Sequence, residues 1–461
     1  MGTSLTASAT PWYRTLNREQ WRVLAAANVA WLFDGFEIYA LFLTVGFALH
    51  QLLAAGEYAA LPRYAGYVLA ATVFGWATGG VIGGIIADYL GRRRTMILTI
   101  LAYSLTTGLS AFAWNWQSFA ALRFIVGIGI GSEWATGAAI VSELWPDHAR
   151  GRAGGMLQSG AGIGGLVASG VWLVIGGLGP NAWRFMYLVG VLPALTTLWI
   201  WRSIPESPRW QLAHERRRAA HALRRSGAEL TAEHVALTRF TVIDLFADKS
   251  IRGRLVAAFV LMLSVTFGFW GVATFVPTYV ASVATKAGLS AAHYAALAGL
   301  LYTAVQTLGF VALGFMADAV GRKPTTMLWY AMSLILTPVV YLWTHEMWAL
   351  LVAVTAFGFF SGGIWSWAPI WLPELFPTHM RGTAVAFCFN APRWLSASGP
   401  LIAGTLIVGL GGYGPAATIV GLFFIVGVVA APFLPETNGA PLPDTLQPPV
   451  SLPEAAPPRP A

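Results

Sequence analysis

GGIIADYLGRRR, residues 83–94, occurs a second time in degraded form as GFMADAVGRKP, residues 314–324. Asp88 maps to Asp318, Gly91 to Gly321 and Arg92 to Arg322 at one constant offset. A second pair, ELWPDHARG (143–151) and ELFPTHMRG (374–382), repeats one residue off that offset. Two equal halves follow. Internal repeats of this length in an apolar chain point to a membrane protein built from two related helical bundles.

Composition supports that reading. Of 461 residues, 56% are hydrophobic and only 10% charged, far from the average of soluble domains. The net charge of +8 would also suit a nucleic-acid partner, but the basic residues lie in short runs between apolar stretches, as positive-inside topology requires, so no nucleic acid is expected. The single cysteine, Cys388, can form no intramolecular disulfide and has no metal-ligand companions. Residues 1–20 carry polar and charged groups without an apolar core, so no cleaved signal peptide is expected.

Apolar runs long enough to cross about 30 Å of hydrocarbon fall near 21–49, 62–87, 95–114, 117–144, 153–178 and 182–203, and again near 255–283, 292–317, 325–345, 347–373, 383–411 and 413–434. The expected fold is therefore an all-α integral membrane protein of twelve transmembrane helices in two six-helix bundles related by a parallel repeat. The N-terminal bundle is expected over 1–203, a linker over 204–254, the C-terminal bundle over 255–434 and a disordered, proline-rich tail over 435–461.

Charge sets the orientation. Arg14, Arg18, Arg22, Arg92, Arg93, Arg94, Arg150, Arg152, Arg322, Lys323 and Arg381 share one side with the ten basic residues of the linker, against Arg63, Arg184 and Lys286 on the other. Both termini are expected to be cytoplasmic. The linker's basic cluster suits either topology or acidic lipid headgroups.

Five charged residues fall inside spans: Asp34, Glu37, Arg123, Glu133 and Arg393. Each costs about 2.5–3.5 kcal/mol at the bilayer centre on insertion scales, so each must be paired or face water. Three acids and two bases leave one acid over, as a proton carrier needs, although a static polar network that holds helices together would use the same residues. Asp34 and Glu37, three residues apart in span 1, share a helix face. Asp34 is the expected proton carrier, with Arg123 setting its affinity and Glu37 as rival; Glu133 lies about 15 Å along span 4 from Arg123. Gly127, Gly129 and Gly131 after Arg123 let a neighbouring helix approach.

Arg393, about eleven residues into span 11, follows Pro392, which breaks the helix ladder. A fixed cation at mid-depth suits a carboxylate, which guanidinium binds through two parallel hydrogen bonds. Its counterpart in the other half is Gly162, so this charge is not shared scaffold. Asn390, one turn earlier, with Gln158, Ser159, Gln306, Trp270, Tyr279, Trp365 and Trp367 are candidate lining residues. The repeated loops supply a candidate cytoplasmic gate of Asp88, Arg92, Glu143, Arg152, Asp318, Arg322, Glu374 and Arg381, whose ion pairs close one side of the membrane in one state and break in the other; topology-fixing charge is the alternative for any one of them.

These residues resemble the major facilitator superfamily over all twelve spans: the GxxADxxGRR loop, RFxxGxGxG in span 4 and PESPRW (205–210) are its recurring motifs. More narrowly, FDGFE (33–37), GSEW (131–134), SELWPDHARGRAGGMLQSG (142–160) and WRFMYLVGVLPALTTLWIWRSIPES (183–207) are similar to the sialate:proton symporter family. The resemblance implies proton-coupled uptake of a carboxylate such as sialic acid, lactate or pyruvate through the inner membrane, by a monomer without a cofactor. A neutral sugar and an aromatic acid are alternative substrates, since PESPR is shared with sugar porters. No paired histidines with metal-ligand spacing and no phosphate loop are present, so an enzyme is not expected. A receptor would need a larger soluble region than the linker or tail.

Overall fold

The computed structural model describes residues 11–227, 229–238, 241–396, 406, 410 and 412–443. Among them, ten helical stretches are long and apolar enough to cross a bilayer: Arg18–Leu52, Tyr64–Leu90, Trp116–Leu144, Asp147–Leu178, Ala182–Arg202, Lys249–Lys286, His293–Val320, Arg322–Trp343, Met347–Leu375 and Tyr413–Phe433. Two further helices complete twelve. Span 3, Arg92–Ser110, is less apolar because three arginines fill its first turn and Thr95, Thr99, Ser104, Thr106 and Thr107 follow. Span 11 begins as Arg381–Asn390 and Pro392–Ser396, and the rest of its expected course to 411 lies outside the described residues apart from 406 and 410.

Glycine sets how closely the helices pack. A Cβ on Gly127 or Gly131 would meet the backbone carbonyls of Thr72 and Trp76 in span 2, and one on Gly129 would meet Tyr103 in span 3. The expected glycine run thus seats span 4 against two neighbours. Across the bundle boundary, Gly155 lies against Phe310 and Gly314 of span 8, and Gly84 against Gly382 and Ala386 of span 11. Spans 5 and 8, and spans 2 and 11, are therefore the seams between the halves.

Several spans are broken where proline or glycine interrupts the ladder. Span 6 runs as Ala182–Val189 and Pro193–Ser203. Span 10 loosens to a π-type turn at Gly358–Gly362 before Trp367–Leu375 resumes. In span 11 the residues around Pro392 tighten, with the Trp394 amide reaching Ala391. Gly91 and Gly321 take positive φ, 107° and 119°, at the turns into spans 3 and 9, where a side chain would be strained.

The linker is largely helical: Pro208–Arg225, capped by Ser207, then Ala232–Thr238 and Thr241–Ala247, with span 7 starting at Lys249. Its basic face is not wholly solvated. Arg217 is buried, donates to the carbonyls of Asp88 (2.9 Å) and His379 (2.8 Å), and lies 4.5 Å over the Tyr89 ring. The start of the tail departs from the expectation of disorder. Residues 435–443 dock on the arginine-rich face through their backbone carbonyls: Trp371 Nε1 donates to the Pro435 carbonyl (3.1 Å), Arg150 to that of Ala440 (3.4 Å) and Arg381 to that of Pro443 (3.1 Å). Residues 444–461 lie outside the described residues.

Candidate functional site

The arginine-rich face carries two copies of one network. In the first, the Asp88 carboxylate accepts from Arg92 (2.8 Å), from the backbone amides of Gly382 (3.1 Å) and Thr383 (2.8 Å), and from the Thr383 hydroxyl (2.7 Å). It thereby caps the start of span 11 from the other bundle, where amide groups and helix dipole favour an anion. Glu143 accepts from Arg92 (3.2 Å) and, across the boundary, from Arg381 (2.9 Å). In the second copy, Asp318 accepts from Arg322 (2.7 Å) and the amides of Gly151 and Arg152 (2.9 Å each) at the start of span 5. Glu374 accepts from Arg322 (2.9 Å) and from Arg150 across the boundary (3.0 Å).

One expected gate residue changes place. Arg150, not Arg152, is the counterpart of Arg381: both stand seven residues after the repeated glutamate, and both reach the opposite bundle. Arg152 also reaches the opposite bundle but meets a different acid, sitting 3.6 Å from Asp318, with its guanidinium 5.0 Å from the Trp12 ring and 5.4 Å from Phe315.

One acid missed in the sequence completes each copy. Glu206, in PES, accepts from the Arg92 amide (2.8 Å), and Glu436, in the matching PET of the tail, accepts from those of Arg322 and Lys323 (2.9 Å each). Burial pushes the Glu436 carboxyl up, but the amides of Lys323 and Arg322 outweigh it and hold it below the ordinary range. His379, in the loop before span 11, is pushed down to about 4 by burial and by Arg217 and Arg381 beside it.

Deeper in the N-terminal bundle the charges pair differently from the expectation. Arg123 bonds to Glu37 (3.3 Å), Thr107 (3.3 Å) and Ser110 (2.9 Å), and its guanidinium lies 4.5 Å over the Tyr187 ring; Thr107 also donates to Glu37 (2.9 Å). Spans 1 and 4 run antiparallel, so Arg123, near the start of span 4, lies level with Glu37 rather than Asp34. Asp34 faces Glu133 and Tyr103 instead. Both acids are buried, and neither Asp34 oxygen nor Glu133 Oε2 has a hydrogen-bond partner among the described residues.

Arg393 is 4% exposed and has no carboxylate within ion-pair distance among the described residues. Its guanidinium donates to the Phe389 carbonyl and to Asn390 Oδ1 (3.3 Å). Aromatic rings surround it: Phe389 at 4.2 Å, Trp76 at 4.6 Å and Trp365 at 5.5 Å. Trp134 stacks on Phe389 at 3.4 Å between centroids, and Trp31 meets Trp76 and Trp134 at 6.4 and 6.1 Å. Gln158 accepts from Trp134 Nε1 (3.2 Å), while Asn390 Nδ2 donates to the Ala386 carbonyl (2.9 Å).

The structure thus gathers Arg393, Asn390, Gln158 and Trp365. Gln306 packs against Gly362 in the loosened part of span 10. Trp270 stands edge-on to Phe269, which also meets Trp365. Tyr279 packs on Tyr341 and Tyr413 and donates to the Tyr341 carbonyl (3.2 Å), with no described contact to the Arg393 group. Trp31, Trp76, Trp134 and Phe389 were not singled out from the sequence, yet a tryptophan in the middle of a span cannot be an interfacial anchor, and that depth was a readable signal.

Two bundles joined at mid-depth around a buried cation, with a layer of ion pairs sealing one face, define a transporter of the major facilitator fold. The chain belongs to the sugar (and other) transporter family, whose model matches residues 33–445. It is 29% identical over 412 residues to the cis,cis-muconate transport protein of Acinetobacter baylyi, covering 89% of this chain and 93% of that one. It is 26% identical over 413 residues to the sialic acid transporter NanX of Escherichia coli, covering 88% and 91%. The proton:xylose symporter XylE superposes with a TM-score of 0.70 at 23% identity, over 92% of this chain and 98% of that one, a likeness of fold.

Proposed function

We propose that this transporter carries a small organic carboxylate together with a proton across the cytoplasmic membrane by alternating access, with the arginine-rich face and both termini in the cytoplasm. The observation that carries the substrate class is Arg393, a buried cation without an acidic partner among the described residues. Isolated buried charge is costly, and an anionic ligand is the natural compensation. Muconate and sialic acid, named for two relatives, are carboxylates.

Proton coupling is assigned to Asp34 with Glu133. Two buried carboxyls facing each other, with no cation paired to either among the described residues, tolerate at most one charge readily, so a shared proton removes the repulsion and its release restores it. Glu37 and Arg123 form the adjacent compensated pair. Trp31 lies three residues from Asp34 and Trp134 next to Glu133, so each acid is joined along its own helix to the rings around Arg393.

The gate layer holds the arginine-rich side closed in this conformation, and alternation requires its inter-bundle pairs to break. Arg393→Lys keeps the charge but loses the paired hydrogen bonds, so it should weaken carboxylate binding by about 1–3 kcal/mol, roughly 5- to 150-fold. Calorimetric titration of the purified protein with muconate and sialic acid checks this. Unchanged affinity in both Arg393→Lys and Arg393→Ala would remove Arg393 from the site.

A further inference from the structure

The groups around Arg393 say more than that the ligand is an anion. Phe389, Trp76 and Trp365 each present a ring within 5.5 Å of the guanidinium carbon, Trp134 stacks behind Phe389, and Trp31 closes on both Trp76 and Trp134. Three rings from spans 2, 10 and 11 thus face one cation, and two more from spans 1 and 4 pack behind them. The polar inventory is equally one-sided. Among the acceptors nearby, Asn390 Oδ1 and the Phe389 carbonyl are engaged by Arg393, and Gln158 Oε1 by Trp134. The indole N–H groups of Trp31 and Trp76, buried on residues 4% and 8% exposed, have no acceptor among the described residues.

A ligand for such a site must accept hydrogen bonds rather than donate them, and must present flat apolar surface. Polyhydroxylated sugars and sugar acids bring several O–H donors, whereas the acceptors that touch Arg393 and Trp134 are already engaged; a donor left unmatched among buried rings lowers affinity. A carboxylate on a conjugated or aromatic plane has acceptor oxygens for Arg393 and the indole N–H groups. Its face and edge fit the offset and edge-on arrangements that indole and phenyl rings favour.

We infer that the ligand of the Arg393 site is a planar, π-conjugated carboxylate, and that Trp76 and Trp365 select for its planarity. This rests on the carboxylate reading and narrows it. Trp76 offers a ring 4.6 Å from the guanidinium and an unpartnered N–H to the same ligand; Trp365, 5.5 Å from the guanidinium, stands edge-on to Phe389 at 6.0 Å and 73°.

The test uses three probes of nearly equal size on the purified full-length protein: benzoate, cyclohexanecarboxylate and benzamide, titrated by calorimetry. Benzoate and cyclohexanecarboxylate share the charge and differ in planarity; benzamide keeps the ring and loses the charge. Benzoate should bind roughly tenfold or more tightly than cyclohexanecarboxylate, given ring-pair energies beyond simple burial, and benzamide should not bind measurably. Trp76→Leu should bring the two carboxylates to similar affinity while still binding benzoate, and Trp365→Leu provides the same comparison if Trp76→Leu does not fold. Equal binding of both carboxylates by the native protein, or no benzoate binding at millimolar concentration, would overturn the inference while the carboxylate reading stands on its own test at Arg393. Benzamide binding as tightly as benzoate would overturn the carboxylate reading itself.

Discussion

Neutralising Glu143 and Glu374 together should open the arginine-rich face. Within each bundle Arg92 holds Glu143 and Arg322 holds Glu374, contacts that a rigid-body motion of the bundles leaves intact. Of the contacts across the boundary, which alternation has to break, these two glutamates make the ion pairs Arg381 to Glu143 at 2.9 Å and Arg150 to Glu374 at 3.0 Å. Hydrogen bonds to charged groups contribute about 1.5–3 kcal/mol each, so two amount to about 3–6 kcal/mol. Even the lower bound moves a two-state equilibrium by roughly 150-fold. The assay is the rate of maleimide labelling of Ala386→Cys in a Cys388→Ser background, a position that packs against Gly84 of span 2 at the seam between the halves. Glu143→Gln/Glu374→Gln should label much faster, and each single variant should fall between. An unchanged labelling rate in the double variant would refute the idea that these pairs hold the face closed.

Two other outcomes follow from the buried groups. Asp34→Asn should keep substrate binding and exchange but lose accumulation against a gradient in proteoliposomes, because the pair with Glu133 can no longer load and release a proton; full accumulation would shift the role to Glu37 or Glu133. His379, held down to about 4 in the closed face by burial and by Arg217 and Arg381, binds its proton more readily once exposed. Closed-state stability from this group is therefore present above its ordinary value near 6.5 and declines as pH falls toward 4. Labelling of Ala386→Cys by a reagent whose reactivity is corrected for pH should rise over that window, and His379→Gln should flatten the rise.

The repeat carried a large share of the fold and of the two ion-pair networks. Asp88, Gly91 and Arg92 with their copies, and the two ELxP stretches, located both halves and both networks, because a duplicated bundle preserves the spacing of the residues that pair. The same register could have distinguished Arg150 from Arg152, the residue expected in its place, since only Arg150 stands seven residues from its glutamate as Arg381 does. The likeness of PES at 205–207 to PET at 435–437 was present too and could have set the start of the tail apart, although disorder was expected over all of 435–461. The partner of Arg123 was not legible: Asp34 and Glu37 share a face, and which one meets Arg123 depends on the relative depth of two antiparallel helices. The mid-span depth of Trp31, Trp76 and Trp134 was readable, but their convergence was not, since they lie on three helices whose approach depends on glycine contacts between spans.

The central claim is that a carboxylate and a proton move together. Liposomes containing the protein and loaded with a pH-sensitive dye, given muconate, sialic acid, gallate or xylose outside at equal pH, report the proton directly. Internal acidification on adding at least one of the carboxylates, beyond that in protein-free liposomes and absent with Asp34→Asn, is the predicted result. Acidification with xylose and none above the protein-free baseline with any carboxylate would contradict the account.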